Sequence, residues 1–538
     1  MIRTRSPSVS RRGVIGGALA TPFILRGARA QSGPGLTITW GEDDNGARTY
    51  DPRVSSSRHE EQLICQLFDT LVASDGSNKL YPGLATSWDV PPDGMSITFK
   101  LRDGVSFHDG TPFDAAAAKF TYDSIVDPKL ASESAITQLG PYAGSDVIDP
   151  HTIRIRYTQP FGAALASFAD PTLSPVSPTA VQKLGNQGFA RAPVGTGPFR
   201  FVSWADGAQV IVERFDAYNW APPFFTNHGP SKVQRLVHRF IPDASTRVAA
   251  LEAGEIDLVD ATPVLDLKRL GDDKRYGTMI GNASGIPFGL ELNASKGIFQ
   301  DIQVRRALAM AVNRQDLSDN LFFGLIEPAY GALSKGTPGY WSGTEKMYAY
   351  DPKAAAAMLD AAGWKPGPDG IRVKNGQRLT GFYGAPPPLE PDTAVELQGV
   401  LKRVGFDLHV ETITFAHNMD LVFNNNFDML PVRWIQADPM CLENLFSSSN
   451  IPTPGHYKYN WSQLRDPKLD ALFASGRAET DPEKRDAIYA DAQKIIMDSA
   501  VWFPVHNQVE TVAYRASRKG YQFARSDWVV SMYDVTTA

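Results

Sequence analysis

Ile97, Phe99 and Leu101 alternate with Thr98, Lys100 and Arg102, the period-two pattern of a strand with one buried face. Turn chemistry brackets it: Pro91-Pro92-Asp93-Gly94 before, Asp103-Gly104 after and Asp109-Gly110 beyond. The same alternation predicts strands over residues 36–40, 199–204, 208–214, 236–240 and 288–292, and a hairpin over 145–157 that turns at Asp149-Pro150-His151. Apolar residues at 3/4 spacing predict a helix over 59–72, carried by Leu63, Ile64, Leu67, Phe68 and Leu71. Further helices are predicted over 115–125 behind an Asp114 N-cap and over 244–253, stopped by Gly254. Asp301 caps another, in which Val304, Ala307, Leu308, Ala311 and Val312 make one face and Arg305, Arg306 and Arg314 lie around the other sides. Asp351-Pro352 opens a helix that ends at Gly363-Trp364. Strands over 379–383 and 406–412 flank a helix over 392–404. A strand over 427–434 carries Pro431, which places it at an edge or a bulge. Asp481-Pro482 opens a long helix, and strands over 502–506 and 511–514 close the chain. This strand–helix rhythm argues for α/β lobes.

At 538 residues the chain exceeds one ordinary core, so two or three domains are expected. Its net charge is −6, and the first thirty residues hold six Arg and no acid, so a chain without them carries about −12. That acidity excludes nucleic acid and anionic lipid as general partners. Ser10-Arg11-Arg12-Gly13 precedes a short apolar run from Val14 to Leu25, and Ala28-Arg29-Ala30 follows. This reads as a twin-arginine type signal peptide over residues 1–30, cleaved after Ala30, with the mature chain free in the periplasm. The run is too short to span a bilayer, no later segment is long and apolar enough, and no membrane insertion is expected. Cys65 and Cys441 leave a disulfide and two separate buried thiols equally open.

No cofactor or metal motif is found. His59-Glu60-Glu61 begins like a metalloprotease helix, but Leu63 stands where a second His would be. Gly195-Thr196-Gly197 precedes a strand and Pro198, so it is a tight turn and not a phosphate cradle. His108, in the turn after residue 104, reads as structural. No Gly-x-Ser-x-Gly elbow or Ser/His/Asp set can be nominated. The chain therefore reads as a non-enzyme, against the alternatives of an exported hydrolase or a periplasmic chaperone or signalling receptor.

Six blocks, in order, resemble the bacterial extracellular solute-binding proteins of family 5, the binding proteins of dipeptide, oligopeptide and nickel ABC importers. They are Leu84-Ala85-Thr86-Ser87-Trp88; Phe99 through His108-Asp109-Gly110; Gly195-Thr196-Gly197-Pro198; Glu252-Ala253-Gly254-Glu255-Ile256-Asp257; Asp301 with Val304 to Leu308 and Asn313-Arg314; and Tyr350-Asp351-Pro352 through Gly363-Trp364. The resemblance implies an α/β, two-lobed periplasmic binding protein fold of the large, cluster C type. Lobe one would hold residues 31–52, 193–285 and 506–538, with an extra subdomain inserted over 53–192. Lobe two would be 286–505. A small solute, peptide or peptide-like by default, would bind between lobes that close over it, and a monomeric receptor would deliver it to permease subunits. Sugars, opine-like amino acid derivatives and metal chelates stay open.

Two departures from the family pattern matter. Ala117 stands where the family usually carries Asp in the first turn of a helix. Peptide-binding members follow a lobe-two Trp with an Asp for the peptide ammonium and then a further Asp-Pro. Here the run Trp434-Ile435-Gln436-Ala437-Asp438-Pro439 keeps one Asp, which matches the second. The resemblance thus nominates Trp434 as a stacking face at the mouth of the cleft. Asp438 is either a cation partner or the N-cap of a short helix. Tyr50, Ser56 and Ser57, in the polar loop 43–57, are candidate hydrogen-bond donors, and Tyr340 and Trp341 are further aromatic candidates. Strand alternation turns Arg433 away from Trp434 and toward solvent.

Overall fold

The computed structural model describes residues 35–43, 46–385 and 391–538, and the expected signal segment with its Arg11-Arg12 pair and Ala30 cleavage point lies outside the described residues. The first alternating stretch forms Leu36–Glu42, the middle strand of a seven-stranded sheet. Along that sheet the order is Tyr276–Asn282, Val509–Arg515, Leu258–Val259, Leu36–Glu42, Val233–Phe240, Gln209–Arg214, Phe199–Ala205. Ile38 and Trp40 point inward and are fully buried. The predicted hairpin joins Ala85–Asp89 and Ser96–Leu101 in a four-stranded antiparallel sheet. Ile97, Phe99 and Leu101 bury their face against the helix Ala115–Ile125, each contributing roughly 1.5–3 kcal/mol. Asp114 caps that helix, accepting from the Ala117 amide at 2.9 Å. Ala117 itself is buried, where a charge would have no solvent.

A second lobe is built on a five-stranded sheet ordered Asp407–Thr412, Thr380–Ala385, Met429–Ile435, Gly285–Leu292, Trp502–His506. Gly285–Leu292 is buried along its whole length, as a strand covered on both faces must be. Helices Ile302–Ala311, Pro352–Ala361 and Pro391–Lys402 share one core with the sheet. Cys441–Phe446, Pro467–Ala478 and Pro482–Ser499 share another.

The chain crosses between the two large sheets at Ala283-Ser284 and Asn507-Gln508. The crossings are laced together: Ala283 N–H donates to Gln508 O at 2.9 Å, and Gln508 Nε2 donates to Ile286 O at 2.7 Å. Gly285 stands here with φ 114°, and an added Cβ would lie 2.1 Å from Trp434 O. Only glycine lets the first crossing approach the strand end so closely.

Several expectations need correction. The helix predicted over 59–72 ends at Leu67. Phe68 turns extended, and Leu67 O accepts from Gly197 N–H at 2.9 Å. The 3/4 spacing runs on because Leu71 and Val72 are apolar for a different core. Arg305, on another side of its helix as expected, is buried, and Arg314 is buried and lies outside that helix. Arg305 donates to Ser499 O, and Arg314 starts the next helix, donates to Pro504 O at 2.7 Å and lies over Phe503. Met429–Ile435 is a central strand by sheet order, yet Thr380–Ala385 pairs with it only at Met429. Pro431 therefore lies beyond that pairing, opposite Leu290 and near a register shift, and needs no amide donor. Cys65 and Cys441 carry thiols and no disulfide. Among the described residues no helix is long and apolar enough to cross a membrane.

Candidate functional site

Between the two lobes lies a cavity of about 590 Å³, within the range of small-molecule sites. Its second-lobe wall is the end of Met429–Ile435. There Trp434 sits opposite Ile286, half-buried, with its ring edge-on to Tyr459 at 5.0 Å between centroids. Trp434 Nε1 donates to Gln436 Oε1 at 3.2 Å, which orients both groups. Gln508, from the second crossing, also lines the cavity, so one of the site's amides sits on the hinge itself.

The first-lobe wall carries carboxylates. Ser56, His59 and Glu61 come from the start of the helix Arg58–Leu67, and Glu133 from just before the helix Ser134–Leu139. Asp170 is paired with Arg525. Burial works against the Arg525 charge, but Asp170 and Glu61 beside it hold the guanidinium above its ordinary value. Glu133 faces Tyr459 across the cavity; burial raises the Tyr459 hydroxyl's pKa and the nearby carboxylate adds to it. Trp528 Nε1, on the same wall, is buried with no hydrogen-bond partner among the described residues.

Of the residues nominated from sequence, Trp434 and Ser56 line this cavity. Tyr50 does not: it is buried in the first-lobe core, 4.6 Å from the Trp204 ring. Residues 48–55 of the polar loop are anchored by Glu60, which accepts from the Arg48 and Thr49 amides and from Ser55 Oγ, and by the buried pair of Arg53 and Asp51. Ser57 stands at the N-cap of the helix Arg58–Leu67 without a side-chain cap bond. Asp438 lies inside the second lobe, where Arg485 grips both its oxygens at 2.7 and 2.8 Å. It also accepts from the Met440 amide at 2.9 Å, but Met440 and not Asp438 stands at the N-cap of Cys441–Phe446, so the expected capping role is not what the structure shows. Tyr340 donates to Glu345 at 3.0 Å and the Trp341 amide to Gln493 at 3.2 Å; neither residue lines the cavity.

Arg433 is exposed, as strand alternation predicts, and from there it also lines the cavity with Trp434. The strand ends at Ile435, and a cavity at a strand end meets side chains of both faces. Tyr459 and Trp528 were missed. Tyr457, Tyr459 and Trp461 do form a period-two aromatic run, which was the available signal.

A second, smaller space of about 100 Å³ lies in the first lobe. Asp69 lines it, accepting from Thr196 Oγ1, Tyr218 OH and Trp220 Nε1 at 2.9–3.0 Å. Burial raises its pKa to about 6 against those three bonds. The volume of this space lies below the range of small-molecule sites. His108 is structural: Gly195 N–H donates to Nδ1, Nε2–H donates to Gly197 O at 3.0 Å, and burial lowers its pKa to about 4. Among the described residues no group of three or more His, Cys, Asp or Glu could hold a metal ion.

Comparison with known proteins gives the context for this cavity. A model of the bacterial extracellular solute-binding proteins, family 5 Middle, matches residues 79–452. The glutathione-binding protein GsiB of Escherichia coli K12 is 27% identical over 511 residues, covering 93% of each chain. NikA from Brucella suis, solved in complex with Fe(III)-EDTA, superposes with a TM-score of 0.81 at 25% identity, covering 94% of this chain and 100% of that one. The periplasmic binding protein DppA from Helicobacter pylori, solved with the peptide STSA, gives 0.72 at 26% identity, covering 94% and 98%.

Proposed function

The chain belongs to the bacterial extracellular solute-binding proteins, family 5, and from that membership we propose that it captures a small peptide-like solute for an ABC importer. The fold is the two-lobed periplasmic binding fold, and this family and these relatives are binding proteins. The observation that carries the reading is the cavity between the lobes, with an aromatic and amide wall on one side and carboxylates on the other. Trp434 and Tyr459 offer flat apolar faces, Gln436 and Gln508 offer amides, and the donor of Trp528 suits a backbone carbonyl. Arg433 and Glu133 give the two walls opposite charges, which suits a zwitterion.

Peptide-like chemistry is supported by what the relatives bind by name, glutathione in one and the peptide STSA in another. With Asp438 held by Arg485, the solute's cationic end falls to the first-lobe carboxylates. Ser56 and Trp434 stay as ligand-facing residues in this reading. Residues 31–52, 193–285 and 506–538 form lobe one, 53–192 its inserted subdomain and 286–505 lobe two. The Arg11-Arg12 pair ahead of a short apolar run supports export by the twin-arginine route with cleavage after Ala30.

The test is calorimetric titration with glutathione and a panel of di- to tetrapeptides. Saturable one-to-one binding of a member of the panel is expected. Heat release by none of them, alongside binding of an uncharged sugar, would overturn the peptide-like assignment.

A further inference from the structure

Away from the two chain crossings, the rims of the two lobes touch. The second-lobe side is the turn between Pro467–Ala478 and Pro482–Ser499. A helix leaves its last carbonyls without intrahelical partners, and each needs a donor or water. In Pro467–Ala478, Ser475 O accepts from the Glu479 amide at 2.9 Å and Gly476 O from Arg485 Nε at 2.9 Å. The next carbonyl, Arg477 O, accepts from the amide of Gly162 at 2.6 Å. Gly162 belongs to the inserted subdomain of the first lobe, so the opposite lobe supplies part of this helix's C-cap.

The approach is as close as a backbone allows. A Cβ added to Gly162 would lie 1.9 Å from Glu479 O, and its three nearest atoms would all be second-lobe backbone. Gly162 is outside the left-handed region, so its own conformation does not demand glycine. What demands it is the second lobe. Beside it, Gly94, bonded to Phe161 through its carbonyl, faces Thr480 with no room for more than a contact at 3.0 Å. On the same side, Met440 packs against both the inserted subdomain's core and the second-lobe core.

The turn is hydrogen-bonded within itself and connected to the site. Glu479 Oε1 accepts from the Asp481 amide at 2.9 Å, and Asp481 caps the following helix. The Arg477 side chain pairs with Glu443, whose neighbour Asn444 lines the cavity.

We infer that Gly162 and the Arg477–Thr480 turn are a closure latch: lobe one caps a lobe-two helix only when the cleft is shut, and so holds a captured solute in. The inference rests on the solute-capture reading for its purpose, but not for its contact. Opening transfers Arg477 O to water, a modest loss that leaves the latch reversible.

The test uses the purified protein and its Gly162→Ala variant, with small-angle scattering for closure and calorimetry with glutathione as the probe. The parent is expected to be compact with glutathione. The variant is expected to be more extended, to bind about tenfold more weakly, and to unfold at the same temperature. Should Gly162→Ala fail to fold, Met440→Ala removes apolar contact on the same side without adding atoms, and a smaller opening of the same kind is expected. Equal scattering and equal affinity for parent and variant would overturn the latch, and so would a parent that stays extended with and without glutathione. A compact parent with an extended variant, neither binding glutathione, supports the latch and counts against glutathione alone.

Discussion

The turn-rich stretch around Ser96–Leu101 and the stretch that follows Met429–Ile435 carry similar residues, aromatics and charges among Asp, Gly and Pro, and use them in opposite ways. In the first, the polar groups turn inward on the protein. His108 bonds Gly195 and Gly197, Asp109 bonds Ser177 and Thr111, and Phe107 and Phe113 stack edge-on. In the second, the polar groups are bonded within the protein and also face a cavity, as Trp434 does through its bond to Gln436. Asp438 is gripped by Arg485, while Arg433, Trp434 and Gln436 line the interlobe cavity. The motif by which the family is recognised is thus a packing solution. In the proposed reading, the solute is met by residues at a strand end that line the interlobe cavity.

The sharpest way to break this contrast is at Asp438. Replacing Arg485 by Ala leaves a buried carboxylate without its partner, and stability is expected to fall by about 3–5 kcal/mol in chemical denaturation. If Asp438 served the solute instead, the loss would appear in affinity with stability unchanged.

His108 tests the packed side through pH. Its pKa is about 4 in the folded protein against roughly 6.5 unfolded. Between those values the unfolded state binds the proton and the folded state does not, so stability rises with pH there and is lost as pH falls. The stability difference between the parent and His108→Gln should rise by about 3 kcal/mol from pH 4 to 6.5. Asp69, with its pKa raised to about 6, runs in the opposite sense from roughly pH 3.8 to 6, which is why the difference between the two proteins, and not the parent's own curve, is the measurement. A difference that stays flat across the window would mean that His108 is solvated.

On the exposed side, Trp434→Ala should weaken glutathione binding about tenfold, or ~1.4 kcal/mol, with the unfolding midpoint nearly unchanged. Unchanged affinity would remove Trp434 from the site. The smallest effect belongs to Tyr50→Phe, which is expected to leave affinity within about twofold, because Tyr50 packs on Trp204 in the core.

The two regions also differed in how legible they were. Caps and turns are local, so Asp114, Asp301, Asp351 and Asp481 could be read as N-caps from sequence, and each accepts a backbone amide in its helix's first turn. The helix 59–72 was overextended because its apolar rhythm crosses from one core to another at Leu71, and periodicity cannot tell which core a residue serves. Asp438 was ambiguous because its partner lies 47 residues away. Alternation put Arg433 toward solvent, where it lies, but alternation says nothing about a strand's end, where side chains of both faces meet the cavity. Tyr459 and Glu133 face each other from opposite lobes, a relation that exists only once both lobes have folded.

The central claim, capture of a peptide-like solute at Trp434 between the lobes, is tested most directly by native mass spectrometry of protein purified without denaturation. The account predicts an added mass of a few hundred daltons, fragmenting as a peptide or peptide derivative and lost in Trp434→Ala. A copurifying sugar, or a mass retained in full by Trp434→Ala, would contradict it.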